Sequence, residues 1–426
     1  MTGPDSRIRP DWRALVAVFW VTQLIEAYGI SQIFALLPSY LRELGVPEAD
    51  RLPFIGLFSA LVFVVGLPLV PLWGVWADKY SRKVVIVRSA LVEAAVFGLA
   101  ALAREPWEMA AALLLIGFQL GNTGVMLAGV RDVTPRHRLG TTIALFGAAG
   151  PLGFALGPAT AGVLIDGAGW SISAVFALSA ALSIGTALLV TFGSREVRPE
   201  IIPVGPVMRL AIGAVRGVLA DPVVRRLFMV YGVVFLANQM SRPFTPVLVE
   251  DLVGTGPGLA TGIALVMGVA ALVGALVSPA SGWIGDRVGF RPVLVGALVA
   301  GGASSLLMPA MPQLLALAAI ALVFGAAVAT VGAMVFSLLA TEVPPERRSA
   351  TLNLVYLPLY VAGIVGPALG GGLAAVAGAP GPFVAGGFVF LAGAAVVAFR
   401  RPAAPSGNAP TPAPTPAAGS APGAGS

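Results

Sequence analysis

Twelve apolar runs, each long enough to cross a bilayer as a helix, follow one another with only short polar turns between them. A hydrocarbon core about 30 Å thick takes roughly 20 helical residues per crossing. We place the first six at residues 14–37, 53–73, 84–103, 107–130, 141–165 and 170–193. The second six fall at 224–249, 258–280, 292–311, 313–340, 350–376 and 380–399. A spanning β-barrel would alternate apolar and polar residues over segments of about ten, and stretches such as 110–117 and 314–325 do not alternate. Backbone amides in lipid must pair among themselves, so helices remain. The expected fold class is all-α integral membrane. Composition agrees: 57% of the chain is hydrophobic and 11% charged, against about a quarter charged in soluble domains.

Orientation follows from the cations, because loops on the cytoplasmic side hold the excess of Lys and Arg. With the N-terminus inside, 22 of the 26 fall in cytoplasmic segments. Only Arg42, Arg51 and Arg104 lie outside, and Arg242 lies within a run. Both termini are thus expected in the cytoplasm. The same bias accounts for the pI of about 10.1 and removes it as a sign of nucleic-acid binding. The first run is too long for a cleavable signal peptide and leads straight into more spans. The chain has no cysteine and one histidine, His137, in a charged loop. Thiol chemistry is excluded, and no metal site or cofactor is expected. No Gly-rich loop of the G-x-x-x-x-G-K-[ST] kind is present to cradle ATP.

The chain also repeats itself. Gly74-Val-Trp-Ala-Asp78-Lys79-Tyr-Ser-Arg82-Lys83 follows the second run, and Gly282-Trp-Ile-Gly-Asp286-Arg287-Val-Gly289-Phe-Arg291 follows the eighth. The two glycines, and likewise the two aspartates, are 208 positions apart. An internal repeat in a membrane chain points to two bundles around a shared central site. The domains expected are a six-helix bundle over 1–193, a cytoplasmic linker with a surface helix over 194–223, a second six-helix bundle over 224–401, and a disordered Pro/Ala-rich tail over 402–426. In the linker, residues 207–219 mix apolar side chains with Arg209 and Arg216, as a helix lying on a membrane face would.

Twelve spans in two halves, with this loop after spans 2 and 8, resemble the major facilitator superfamily. The family signature G-x-L-[AG]-D-R-x-G-R-[RK] is met at Gly74, Ala77, Asp78, Arg82 and Lys83, while Lys79, Trp76 and Ser81 depart from it. The second copy keeps Gly282, Gly285, Asp286, Arg287, Gly289 and Arg291, with Phe290 in place of an arginine. The resemblance implies a gate in which Asp78 reaches the amides at a helix N-terminus in the other half and pairs with Arg82. A turn needed only for topology is the competing reading. Span 5 carries Gly147, Gly150-Pro151, Gly153 and Gly157-Pro158-Ala-Thr-Ala161-Gly162, which resembles the antiporter motif G-x-x-x-G-P-x-x-G-G. Of these, Gly153, Gly157, Pro158 and Gly162 are taken as the motif proper. Span 11 echoes it at Gly363, Gly366-Pro367, Gly370 and Gly371. Close helix packing explains such glycines equally well.

Ionisable residues inside spans are functional candidates, since charge at the bilayer centre costs roughly 2.5–3.5 kcal/mol on insertion scales. Glu26, in the middle of span 1, is the candidate proton-coupling residue, and Gln23 lies one turn before it. A carboxylate held permanently against a cation is the alternative. Span 7 offers Asn238, Gln239 and Arg242, the last able to counter Glu26, bind an anionic substrate group, or snorkel to the interface. Span 4 adds Gln119 and Asn122, and span 11 adds Asn353, Tyr356 and Tyr360, as a sparse polar lining of a greasy cavity. Glu93 in span 3 is expected to pair with Arg88. Where the family commonly has an arginine in span 4, this chain has Gly117.

The resemblance implies a secondary transporter, not an enzyme, that exports amphiphilic or hydrophobic small molecules by alternating access in exchange for protons. Uptake or facilitated passage of a small metabolite stays open, as does a non-transporting scaffold or receptor on the same fold. The partners implied are a small-molecule substrate, protons and the lipid bilayer, with no nucleic acid, and the chain is expected to act as a monomer. Arginine outnumbers lysine 24 to 2, which fits GC-rich codons and a bacterial inner membrane.

Overall fold

The apolar runs are predominantly helical where they are described, in a computed structural model that describes residues 12–199, 202–342, 354 and 357–399. The first half contains α1 (Trp12–Glu43), α2 (Glu48–Val64), α3 (Gly66–Lys79), α4 (Arg82–Leu102), α5 (Pro106–Ile116), α6 (Asn122–Val133), α7 (Leu139–Gly162) and α8 (Ile172–Gly193). After α9 (Val207–Ala220), the second half contains α10 (Pro222–Ser241), α11 (Thr245–Val253), α12 (Leu259–Ile263), α13 (Val269–Val288), α14 (Phe290–Leu307), α15 (Leu314–Glu342), α16 (Leu357–Ala377) and α17 (Pro380–Phe399). No strand occurs among the described residues.

Ten helical segments among the described residues are long and apolar enough to cross a membrane. The fourth and seventh crossings are the other two, and each is interrupted. Residues 117–121 separate α5 from α6, and a 3-10 turn at Arg242–Phe244 separates α10 from α11. The second crossing, Glu48–Lys79, bends at Val65 between α2 and α3. The expected tail at 402–426 lies outside the described residues.

Packing repeats with the sequence. In the first half α1 lies along α7 and α4 along α8; in the second α10 lies along α16 and α14 along α17. Crossings 1 with 5 and 3 with 6 thus recur as 7 with 11 and 9 with 12. Glycine makes the tightest of these approaches possible. A Cβ on Gly153 would lie 2.3 Å from Leu24 O, and one on Gly370 would lie 2.4 Å from Met240 O. Small residues let helix backbones close without a hydrophobic driving force between them.

The halves meet along two seams, α2 against α16 and α7 against α12 and α13. Gly56 and Gly371 touch backbone to backbone, with a would-be Cβ of Gly56 2.5 Å from Pro367 O. On the other seam a Cβ on Gly162 would lie 3.1 Å from Thr261 Cα, and one on Gly268 3.1 Å from Ala155 O. The outer surface is apolar: Leu91, Leu188 and Phe388 stand more than half exposed. Such a surface is at home only in lipid.

Candidate functional site

Charge inside the first half gathers where the fourth crossing breaks. Glu26 is buried on α1 and accepts a hydrogen bond from Asn122 Nδ2. Asn122 opens α6 directly after Gly121, whose φ of 95° only glycine adopts without strain. The break leaves the Gln119 carbonyl outside any helix ladder. Ser89 Oγ donates to it at 2.6 Å and Arg88 Nη2 at 3.4 Å. The Arg88 guanidinium stacks on Trp73, 3.7 Å from the ring centroid. Gln23 Oε1, Gln119 Oε1 and Asn122 Oδ1 are all buried without a hydrogen-bond partner among the described residues. Arg88 Nε and Nη1 and Trp73 Nε1 are likewise buried without a hydrogen-bond partner among the described residues, so donors and acceptors both stand unpaired around this break.

Four residues expected from the sequence, Gln23, Glu26, Gln119 and Asn122, belong to this first-half assembly. Ser89 and Trp73 were missed, and Arg88 was assigned to Glu93. Arg88 had a visible signal, since it lies inside the apolar run 84–103 instead of in the loop. The expected pairing of Glu93 with Arg88 does not form. Five residues apart, they point about 140° from each other around the helix, and Arg88 lies on Trp73 and the Gln119 carbonyl instead.

The second half contributes differently. Asn238 and Gln239 are buried on α10, and Gln239 packs on Gly366, whose would-be Cβ lies 2.9 Å from Gln239 Cβ. Arg242 opens the 3-10 turn that breaks crossing seven. Its guanidinium lies 4.6 Å from the Phe34 ring centroid and 4.4 Å from that of Phe154, both in the opposite half. It meets aromatic faces there, not the Glu26 carboxylate. Tyr360 is buried with its ring 6.1 Å from that of Phe63 across the seam. Asn353 and Tyr356 lie outside the described residues.

The two faces of the bundle pair are held in different ways. On the face of the Gly74–Lys83 loop, Arg82 is buried, binding Asp78 Oδ1 and Asp132 Oδ2 at 2.8 Å each. Its backbone N–H donates to Glu196 at 2.9 Å, and Lys83 Nζ donates to Thr191 O at 2.6 Å. All these partners belong to the first half or its exit. In the second copy Asp286 is exposed and Arg287 stacks on Trp283 at 3.6 Å, while Arg291 stands at the start of α14. Gly74 and Gly282 face open space.

On the opposite face the halves are tied together. Glu250 of α11 binds Arg42 of α1, and Arg51 Nη1 of α2 reaches its Oε1 at 2.9 Å. Glu48 holds Arg51 from the other side at 2.7 Å. Asp166 Oδ2, beyond α7, accepts the Thr261 N–H at 2.7 Å. Sequence reading counted Arg42 and Arg51 only as the cations left over on that face.

Two bundles built on one repeated plan and tied across one face, the first holding a buried carboxyl, define a membrane transporter. The chain belongs to the major facilitator superfamily, whose family model matches residues 19–270 and 227–422. It is 30% identical over 299 residues to "Multidrug resistance protein MdtG" of Citrobacter koseri, covering 69% of this chain and 72% of that one. The corresponding protein of Enterobacter lignolyticus is 31% identical over 307 residues, covering 70% of each. Among solved structures, a mutant of the nucleoside transporter NupG superposes with a TM-score of 0.70 at 16% identity, over 90% of this chain and 98% of that one. The human organic anion transporter MFSD10 (TETRAN) superposes with a TM-score of 0.66 at 20% identity, over 91% and 100%. These likenesses show the fold.

Proposed function

We propose that the protein exports amphiphilic or hydrophobic small molecules through a bacterial inner membrane in exchange for protons. The carrying observation is Glu26, a buried carboxyl set against the Asn122 amide at a helix break. A charge at that depth must be neutralised by a proton or a counter-ion, which makes Glu26 able to alternate between the two. The names of relatives about 30% identical support efflux as the direction.

In this reading residues 1–193 rock against 224–401, tethered by 194–223, with both termini in the cytoplasm. The conformation described is then closed outside, where Glu250 ties to Arg42 and Arg51, and open inside, where Gly74 and Gly282 face space. A glycine with nothing against it here is useful where another backbone arrives in the second conformation. Arg242, a cation on the pathway, favours as a second reading the uptake of an anionic metabolite.

Purified protein in proteoliposomes tests both. An acid-outside gradient should drive substrate outward, and Glu26→Gln should abolish the gradient's effect. Full gradient-driven export by Glu26→Gln dismisses the assignment, and inward accumulation of an organic anion supports the second reading.

A further inference from the structure

Exchange through Glu26 leaves a second membrane-buried carboxyl, Glu93, without a role. It is fully buried on α4, and neither of its carboxyl oxygens has a hydrogen-bond partner among the described residues. It faces α1 one turn from Glu26. A Cβ on Gly29 would lie 2.6 Å from Glu93 Oε1, and Gly29 stands three residues after Glu26 on the same helix face. Ser183 of α8 is beside the carboxyl, yet its hydroxyl donates to Ser179 O at 2.9 Å.

The charged groups on the elements packed against Glu93 are few. α8 carries none along its whole length. α1 brings Glu26 at this depth and Arg13, Arg42 and Glu43 near its ends. α5 has only Glu108, in its first turn, and α6 only Arg131 and Asp132, in its last. α3 has Asp78 and Lys79 at its end. Arg88 on α4 points about 140° away from Glu93, toward Trp73 and the Gln119 carbonyl beside Glu26's partner Asn122.

Two carboxyls and one guanidinium balance only when one proton is bound, and an uncompensated charge at this depth is costly. We propose that this proton resides on Glu93 in the conformation described, making Glu93 a positioning residue for the proton exchange. By staying neutral it leaves Arg88 to Glu26 alone, and Glu26 becomes the group whose charge changes. The role in exchange rests on the function proposed above; the location of the proton does not.

Infrared spectra of the purified full chain at neutral pH should show a protonated-carboxyl C=O stretch that Glu93→Gln removes and Glu26→Gln leaves. Arg88→Gln should roughly double that band, because Glu26 then also loses its counter-ion. A wild-type protein without the band overturns the proposal even if the variants fail to fold. So does a band lost in Glu26→Gln and kept in Glu93→Gln. In proteoliposomes Glu93→Gln should keep the wild-type pH midpoint of flux, whereas Glu93→Lys, a cation beside Glu26, should move it about one unit toward acid. Wild-type flux indifferent to pH sinks the exchange reading and leaves the infrared result standing. A pH-dependent wild type whose midpoint shifts equally in both variants sinks the role given to Glu93.

Discussion

Gly117 and Gly66 meet so closely that a Cβ on Gly117 would lie 2.5 Å from Gly66 N. The break in crossing four therefore rests backbone to backbone on the bend in crossing two. That contact sets the site: it holds the Gln119 carbonyl where Ser89 and Arg88 donate to it, and it starts α6 at Asn122, beneath Glu26. It also explains the missing arginine, for no side chain of any kind fits at position 117.

Gly117→Ala should thus destabilise the protein by about 1–3 kcal/mol, as overpacking does in other cores. Gly117→Arg, which restores the residue common in the family, should fold worse than Gly117→Ala. Thermal unfolding in detergent, followed by tryptophan fluorescence, separates them. A Gly117→Arg protein as stable as the wild type would show that the two breaks can part.

Hydropathy made the crossings legible because lipid leaves helix as the only paired backbone state. It could not show the interruptions. The run 107–130 reads as continuous although residues 117–121 leave the helix, because Gly117, Phe118 and Leu120 are as apolar as their neighbours. Glu26 and Asn122 were recognisable singly as polar residues in apolar runs, and their meeting across 96 positions depends on how α1 packs on α6. Arg88 was misassigned by proximity to Glu93, where the helix period of 3.6 argues against a shared face. Glu250 was invisible as a latch, since its partners lie 208 and 199 residues away.

Asp78 pairs with Arg82 in its own half, and Arg82 keeps Asp132 as a second partner. Removing the Asp78 charge should therefore cost little stability, about 1 kcal/mol or less for a pair partly open to solvent. Transport should suffer far more. We expect Asp78→Asn to insert and express as the wild type does and to lose at least about tenfold in flux, equal to about 1.4 kcal/mol in the cycle. Unchanged flux from well-expressed Asp78→Asn would return the loop to a purely topological role.

The glycine stripe of α7 divides by what each glycine touches. A Cβ on Gly157 would lie 2.0 Å from Ser31 Oγ and 2.6 Å from Tyr28 O, whereas one on Gly147 or Gly150 meets open space. Gly157→Ala should lower the unfolding temperature, by about 1–3 kcal/mol of stability, and Gly370→Ala on α16 should do the same through Met240 O. Gly147→Ala and Gly150→Ala should be silent or slightly stabilising, as alanine is the better helix former. Equal effects at Gly147, Gly150 and Gly157 would mean that the motif acts through something other than packing on α1.

The latch on the opposite face sets which conformation is favoured. Arg51 and Glu250 are almost fully withdrawn from solvent, with side chains 5% and 9% exposed, and Arg42 is a third exposed. Glu250→Gln leaves Arg42 facing a neutral amide and Arg51 with only the exposed Glu48, and breaking a buried pair from one side costs up to about 3–5 kcal/mol. Because the pair spans the halves, that cost falls on the tied conformation and not on either bundle. The population should move by more than tenfold toward separation on this face. The chain contains no cysteine, so Ala49→Cys and Thr255→Cys, at exposed positions of the two halves, take spin labels without further changes. Their distance distribution should lengthen in Glu250→Gln and return in Glu250→Asp, which keeps the charge. A distribution that ignores position 250 would leave the tie to Asp166 and Thr261, and the stack of Arg242 on Phe34 and Phe154, as what holds that face.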